Sequence, residues 1–127
     1  MKKINADSKI ILDKLWELAS NNSDYYKLDN DPTFMSLNIE ILDNNQISLC
    51  HYGEQNGDLM RDPEMVFWKD DKGEYYPFYY RNDYIGFEQF IGQIVENELI
   101  VEDVKQQESQ VEFTSVWMKN IEWQQKF

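Results

Sequence analysis

The sequence has few of the residues that disulfide frameworks, zinc sites and covalent catalysis need. Among its 127 residues there are one cysteine, one histidine, three prolines and five glycines. A single cysteine excludes an internal disulfide and a cysteine-rich zinc site. No apolar run approaches the roughly 18 residues that a membrane-spanning helix needs. The N-terminal Met-Lys-Lys-Ile-Asn-Ala-Asp also lacks the apolar core of a signal peptide. We therefore expect a cytoplasmic protein with no membrane partner.

Basic residues are scarce as well. Twelve Lys and Arg are set against 24 Asp and Glu, which gives a formal net charge of −12 at pH 7. Proteins that bind nucleic acid present a basic face to the phosphates, so we expect no direct binding of nucleic acid. A basic protein surface is the better candidate partner, because complementary fields raise association rates. The alternative is that the acidity serves only solubility.

Apolar residues make up 42% of the chain and aromatic residues 15%, which predicts one folded domain over residues 1–127. Helical spacing of apolar residues predicts an N-terminal helix over 9–19, capped by Asp7 or Ser8, and a C-terminal helix over about 108–125. Alternating patterns predict strands over 37–41, 46–52, 64–69 and 75–81. We therefore predict an α+β fold: an N-terminal helix, a four- or five-stranded antiparallel β-meander, and a C-terminal helix packed on one face.

Some segments are harder to assign. The stretch 84–94 suits a helix or a strand, and its two glycines favour a fifth strand through about residue 90. Residues 21–32 are predicted to be a loop, residues 43–45 a turn, and 96–110 partly a loop. Pro77 predicts a free edge or a bulge. Trp16 is predicted in the core. The C-terminal helix is predicted to bury Phe113, Val116, Trp117, Asn120 and Ile121, with Met118 and Trp123 off this stripe.

One cluster has the composition of a site: His51, Glu54, Asp58, Asp62 and Glu64, in a polar stretch between two strands. Carboxylates and an imidazole could bind a metal, but their spacing matches no calcium-loop or hydrolase motif. The alternative is structural, with Asn56 and Gly57 as a turn and Gly53 as a bulge. His51 alternates with Ile47 and Leu49, which favours a core histidine. Its neighbour Cys50 points to the opposite face, so the two cannot form a catalytic pair. We therefore predict no catalytic residue, metal or cofactor, and we interpret His51 and Glu64 as structural supports.

The stretch His51-Tyr52-x-Glu54-Gln55-Asn56-Gly57-Asp58-Leu59-Met60-x-Asp62-Pro63-Glu64-Met65 is the most distinctive motif of the chain. Together with 80–86 and 117–127, it resembles the signature of an uncharacterised domain family from plasmids, integrative elements and phages of bacteria, chiefly Firmicutes. The resemblance covers roughly 46–91 and 113–127 and leaves out the acidic segment 96–112. It implies a mobile-element origin, and brings no assigned activity.

These observations favour a non-enzymatic acidic protein of a phage or mobile element. It would bind and inhibit a host defence protein that handles nucleic acid, such as a Cas9-type nuclease, and could mimic nucleic acid. Two alternatives remain open: a metal-dependent enzyme using the 51–64 stretch, and an accessory interaction module of conjugation or plasmid maintenance. Two sets of acids are the predicted partner-binding residues. The first set is Asp58, Asp62, Asp70 and Asp71, and the second is Glu96, Glu98, Glu102, Asp103 and Glu108.

Overall fold

The computed structural model describes residues 1–43 and 45–127, and within them the chain forms two α-helices, a six-stranded antiparallel main sheet and a separate two-stranded hairpin. The elements run in the order α1 (Ala6–Ser20), β1 (Tyr25–Leu28), β2 (Leu37–Leu42), β3 (Gln46–Gln55), β4 (Asp58–Lys69), β5 (Tyr75–Asn82), a 3₁₀ turn (Asp83–Ile85), β6 (Phe87–Phe90), β7 (Gly92–Val95), β8 (Glu98–Val101) and α2 (Val104–Gln125). The main sheet has the order β1-β2-β3-β4-β5-β6, so it is a meander. The predicted α+β class is confirmed, with more strands than the four or five expected.

The core lies between the two helices and one face of the main sheet. Leu12 and Leu15 of α1 and Met118 of α2 are fully buried against side chains of the central strands. Those strands contribute alternate residues to this face, because side chains of a strand point to opposite sides in turn. The strand residues of the core are Leu28, Leu37, Ile39, Ile47, Leu49, Met65, Phe67 and Tyr75. Trp16 is half-buried and packs against this cluster.

The β7–β8 hairpin packs against the other face of the main sheet. Ile91 and Leu99 are buried there with Val66, Trp68 and Tyr79. The backbone fixes the position of the hairpin, because Ile91 N–H donates to Phe78 O (3.0 Å) and Glu102 N–H donates to Ile91 O (2.8 Å). One side of the hairpin is therefore covered by the sheet.

Both helices begin earlier than the apolar pattern predicts. Asn5, not Asp7 or Ser8, caps α1, and its side chain accepts from the N–H of Ser8 (2.8 Å). Asp103 caps α2 by accepting from the N–H of Gln106 (3.0 Å). A helix leaves its first N–H groups without intrahelical partners, so a polar side chain just before the first turn sets the start. In both helices the apolar stripe begins after the cap, so apolar spacing alone predicts a start that is too far along the chain.

Two predicted loops contain regular structure. Residues 21–32 include β1, which pairs along its length with β2, for example Tyr26 with Ile39. Residues 96–110 include β8 and the first two turns of α2. The composition of both segments favours a loop. Pairing with β2 nevertheless makes part of the first segment a strand, and strand pairing and the Asp103 cap determine the structure of the second.

The buried face of α2 differs from the predicted stripe. Phe113 and Val116 were predicted to be buried but are 37% and 59% exposed, and Met118, predicted to lie off the stripe, is fully buried. Trp123 lies off it as predicted and is 72% exposed. The buried residues are Gln107, Gln110, Thr114, Trp117, Met118, Ile121 and Gln125. Four of these seven are polar, so a search for apolar periodicity could not locate the face.

Three further predictions concern turns and edges. β2 and β3 pair up to Leu42 and Gln46, while the predicted turn between them includes Asn44, which lies outside the described residues. The bulge predicted at Pro77 is present, because the β4–β5 register shifts between Val66 and Phe67. In the described part of the chain, neither helix is long and apolar enough to cross a membrane.

Candidate functional site

The stretch between His51 and Glu64 is the outer half of the β3–β4 hairpin, and not a polar loop. Asn56 and Gly57 form the turn, with φ values of 54° and 86°. Positive φ at both positions is the two-residue turn geometry for which Asn-Gly is favoured. The strands continue to this turn, where Gln55 pairs with Asp58.

The bulge of this hairpin lies in β4, where Asp62 and Pro63 oppose the single residue His51, and not at Gly53. The β3–β4 register shifts between Cys50 and Tyr52, whereas Gly53 pairs regularly with Met60. A Cβ at Gly53 would meet the hydroxyl of Tyr84, which is at the far end of an exposed side chain. A bulge re-aims a side chain locally, and here Asp62 is one of the two β4 residues that lie opposite His51.

The His51 ring lies on the core face, as its alternation with Ile47 and Leu49 predicts. Its Nδ1 is 2.9 Å from the carbonyl oxygen of Ser36, and a carbonyl can only accept, so Nδ1 carries the proton. The ring meets Trp117 edge to face, with centroids 5.5 Å apart. Burial lowers the pKa of His51 below its ordinary value of 6.5. His51 is therefore neutral at pH 7, with a lone pair on Nε2.

Glu64 does not join His51. It precedes Met65, which faces the core, so Glu64 points to the opposite face of the sheet. There Ser48 Oγ donates to Glu64 Oε2 (2.8 Å), and the guanidinium of Arg61 lies 3.7 Å from Oε1. Glu54 is exposed near the hairpin tip. The cluster that the sequence suggested is thus divided between two faces of one hairpin.

The metal-dependent alternative needs a convergent set of ligands, and nucleophilic catalysis needs an activated thiol. Across residues 1–43 and 45–127, no group of three or more His, Cys, Asp or Glu side chains is arranged to hold a metal ion. Cys50 is 3% exposed, and burial together with the Glu64 carboxylate raises the pKa of its thiol to about 12. A thiol with that pKa is almost wholly protonated at pH 7, and the thiolate is the nucleophilic form. Within the described residues, the geometry therefore supplies no set of ligands for the metal-dependent enzyme considered as an alternative.

Half of the first acidic set is engaged in local structure. Asp62 accepts from Asn82 Nδ2 (3.0 Å). Asp70 accepts from the N–H groups of Lys72 (3.0 Å) and Glu74 (2.9 Å) and from the hydroxyl of Tyr76 (3.0 Å). The two exposed members, Asp58 and Asp71, are separated along the chain by the whole of β4. The first set therefore does not form one acidic surface.

The second set surrounds the β7–β8 hairpin. Glu96 lies in its turn, Glu98 begins β8, and Glu102 follows β8; all three are exposed. The other two members have local roles, because Asp103 caps α2 and Glu108 lies 3.6 Å from Lys2 Nζ.

The sequence did not single out two apolar residues among these acids. Val95 and Ile100 are 46% and 50% exposed on the side of the hairpin away from the sheet, while Ile94 and Leu99 pack against it. The sequence contains a signal for this exposure. Consecutive apolar residues in a strand point to opposite faces, so one residue of each pair Ile94-Val95 and Leu99-Ile100 must face outward. We call Val95, Glu96, Glu98, Ile100 and Glu102 the hairpin face.

Comparison with known proteins gives a family and no close relative. Neither the curated proteins nor the solved structures include a match. The family described as Domain of unknown function (DUF6908) matches residues 8–127, which include the segment 96–112 that the sequence resemblance left out. The chain therefore belongs to this domain family of unknown function.

Proposed function

We propose that this protein is a non-enzymatic binding protein of a phage or other mobile element. It docks through the hairpin face onto the basic surface of a host defence protein that handles nucleic acid, such as a Cas9-type nuclease, and inhibits it. The observation that carries the proposal is the combination of exposed apolar and acidic side chains on one small hairpin, which backbone hydrogen bonds connect to the main sheet.

The hairpin face has the composition of an interface. Protein interfaces combine a less polar centre with a polar, solvent-accessible rim. Val95 and Ile100 supply the apolar centre, and Glu96, Glu98 and Glu102 supply a rim of one charge sign. Two exposed aliphatic side chains on adjacent strands gain free energy when a partner covers them, and three carboxylates at their edge select a basic partner.

The charge and the origin support the same kind of partner. A net charge of −12 produces a field that attracts basic proteins and repels nucleic acid. Nucleases present a basic channel to the phosphate backbone, and carboxylates placed at that channel compete with phosphates. The resemblance to proteins of plasmids, integrative elements and phages gives such inhibition a purpose, because those elements are the targets of nuclease-based immunity.

The proposal is tested by survival of a targeted phage or plasmid in cells that carry a nuclease-based immune system. Expression of the wild-type protein should raise survival. The triple variant Glu96→Lys/Glu98→Lys/Glu102→Lys should abolish this protection. The matched control is Glu54→Lys/Asp58→Lys/Asp71→Lys, which makes the same change in net charge at exposed acids of other turns and should retain protection. Failure of the wild-type protein to protect against any nuclease of the panel, or equal loss in both variants, would contradict the proposal.

A further inference from the structure

An open cavity of about 390 Å³ lies where the β3–β4 hairpin, the segment 33–35 and α2 meet. Its size is within the range of small-molecule sites. Its walls bring together residues that are distant in sequence, among them Phe34, His51, Asp62, Trp117 and Asn120. The cavity shares no residue with the hairpin face, so an inference from it is independent of the proposed function.

Two polar groups of the cavity, His51 and Asp62, can only accept, while Thr33, Asn120 and Gln124 can donate or accept. His51 is 6% exposed, and within the described residues its hydrogen bond is made through Nδ1 to Ser36. The lone pair on Nε2 is therefore left to accept from a ligand. Asp62 receives one hydrogen bond, from Asn82 to Oδ1, which leaves the second carboxylate oxygen available. Lys and Arg are absent from the described lining residues, so nothing there would neutralise an anionic ligand.

The apolar part of the cavity is aromatic. Trp117 lies between His51 and Phe113, in edge-to-face and tilted contacts with centroids 5.5 and 5.7 Å away. Phe34 also lines the cavity and packs edge to face on Trp123, with centroids 5.6 Å apart. Aromatic rings attract cations through their negative faces, and they also pack well against an aliphatic stem.

The wall formed by 33–35 is fixed before any ligand arrives. Gln125 of α2 is 1% exposed. Its Oε1 accepts from Asp31 N–H (3.0 Å), and its Nε2 donates to Met35 O (3.2 Å). Lys126 also lies 3.2 Å from Asp31. A cavity whose walls are already ordered binds with a smaller entropic cost.

From these contacts we infer that the cavity binds an N–H-bearing cation on a short aliphatic stem, that is, an alkylguanidinium or alkylammonium group. The cation would donate to Nε2 of His51 and to the carboxylate of Asp62, and its stem would lie against Trp117. An anion would meet an uncompensated carboxylate. The group can come from a free small molecule or from an arginine or lysine side chain of a partner, and the chemistry of the site is the same for both.

The test is a titration of the full-length protein followed by NMR, because the imidazole signals of its only histidine report directly on the cavity. Propylguanidine should shift the His51 signals saturably at millimolar concentration. Propylurea has the same shape without the charge and should shift them far less. N-acetylarginine N-methylamide distinguishes the sources: a stronger response than to propylguanidine indicates a protein side chain, and a weaker one a free small molecule.

Variants then test the assigned carboxylate. Asp62→Asn keeps the oxygen that accepts from Asn82 and removes the charge, so the affinity for propylguanidine should fall about tenfold or more. Glu54→Gln makes the same charge change at an exposed acid of the same hairpin and should leave the affinity unchanged. The comparison of propylguanidine with propylurea uses the wild-type protein, so it tests the inference even if Asp62→Asn does not fold. Equal shifts with propylurea and propylguanidine, or no shift of the His51 signals with any cation, would overturn the inference.

Discussion

His51 is the clearest case in this chain of a residue whose chemistry is set by its surroundings. The ring is enclosed by Ser36, Trp117 and the residues of the core face, and the Asp62 carboxylate is the charged group that acts on it. Burial disfavours the imidazolium form more than the hydrogen bond and Asp62 favour it, so the pKa of His51 lies below 6.5. The histidine is a neutral acceptor at physiological pH.

This lowered pKa predicts a loss of stability in acid. Above about pH 6.5 neither state binds a proton at His51, so its contribution is constant. As pH falls from 6.5 towards the folded-state pKa, the unfolded chain takes up a proton that the folded chain does not, and the free energy of unfolding decreases. Urea unfolding at about pH 7.5 and about pH 5.5 should show this decrease. His51→Gln should show a smaller one, because the carboxylates titrate alike in both proteins. Identical decreases in the two proteins would show that His51 titrates normally.

At the scale of elements, α2 is attached to the rest of the molecule by polar side chains as well as apolar ones. Gln107 donates to Pro77 O (3.0 Å) and accepts from Lys2 N–H (2.6 Å). Gln125 holds the segment 31–35, which pairs with no strand. Such buried amides are stable only because their partners are present. These hydrogen bonds fix the position of α2 relative to the sheet. Apolar contacts are not directional, so they define that position less closely.

Replacing Gln125 by Ala should therefore lower the free energy of unfolding by about 2 kcal/mol, because backbone groups of Asp31 and Met35 lose a buried partner. The control is Glu112→Ala at an exposed position of the same helix, which should change stability by less than about 0.5 kcal/mol. Both values come from urea unfolding at neutral pH. A change at Gln125 no larger than the control would mean that water replaces the amide without cost.

The elements that the sequence predicts best are those with a simple apolar period. β2 and β3 follow from alternate Leu and Ile, and the Asn56-Gly57 turn from its residue types. Apolar patterns do not predict the start of α2, the strand β8 or the buried face with Gln107, Gln110 and Thr114. Helix caps, strand pairing and hydrogen-bonded amides determine these features, and they leave no apolar signal.

The candidate sites were predictable only in part. Composition identified the acids. Asp70 accepts from residues of its own turn, whereas the hydrogen bond from Asn82 to Asp62 depends on residues that are distant in sequence. The bulge opposite His51 and the cavity that His51 lines depend in the same way on the pairing of strands. No local pattern encodes that pairing.

For the whole molecule, the balance of charge is the dominant property. The net charge of −12 acts over distances set by the screening length, so it affects encounter with a partner more than the strength of close contacts. The exposed acids of the hairpin face lie together on one hairpin with Val95 and Ile100, whereas Asp58 and Asp71 are separated by the length of β4. We therefore expect the overall charge to attract a basic partner and the hairpin face to determine where it docks.

The central claim is tested most directly by the association rate between the protein and the nuclease proposed as its target, measured at 0.1 M and 1 M salt. The screening length falls from about 10 Å to about 3 Å over that range, so the rate should fall steeply. Glu96→Lys/Glu98→Lys/Glu102→Lys should slow association more than it speeds dissociation, and should do so more than Glu54→Lys/Asp58→Lys/Asp71→Lys. An association rate that is independent of salt, together with no effect of either triple variant, would contradict the account.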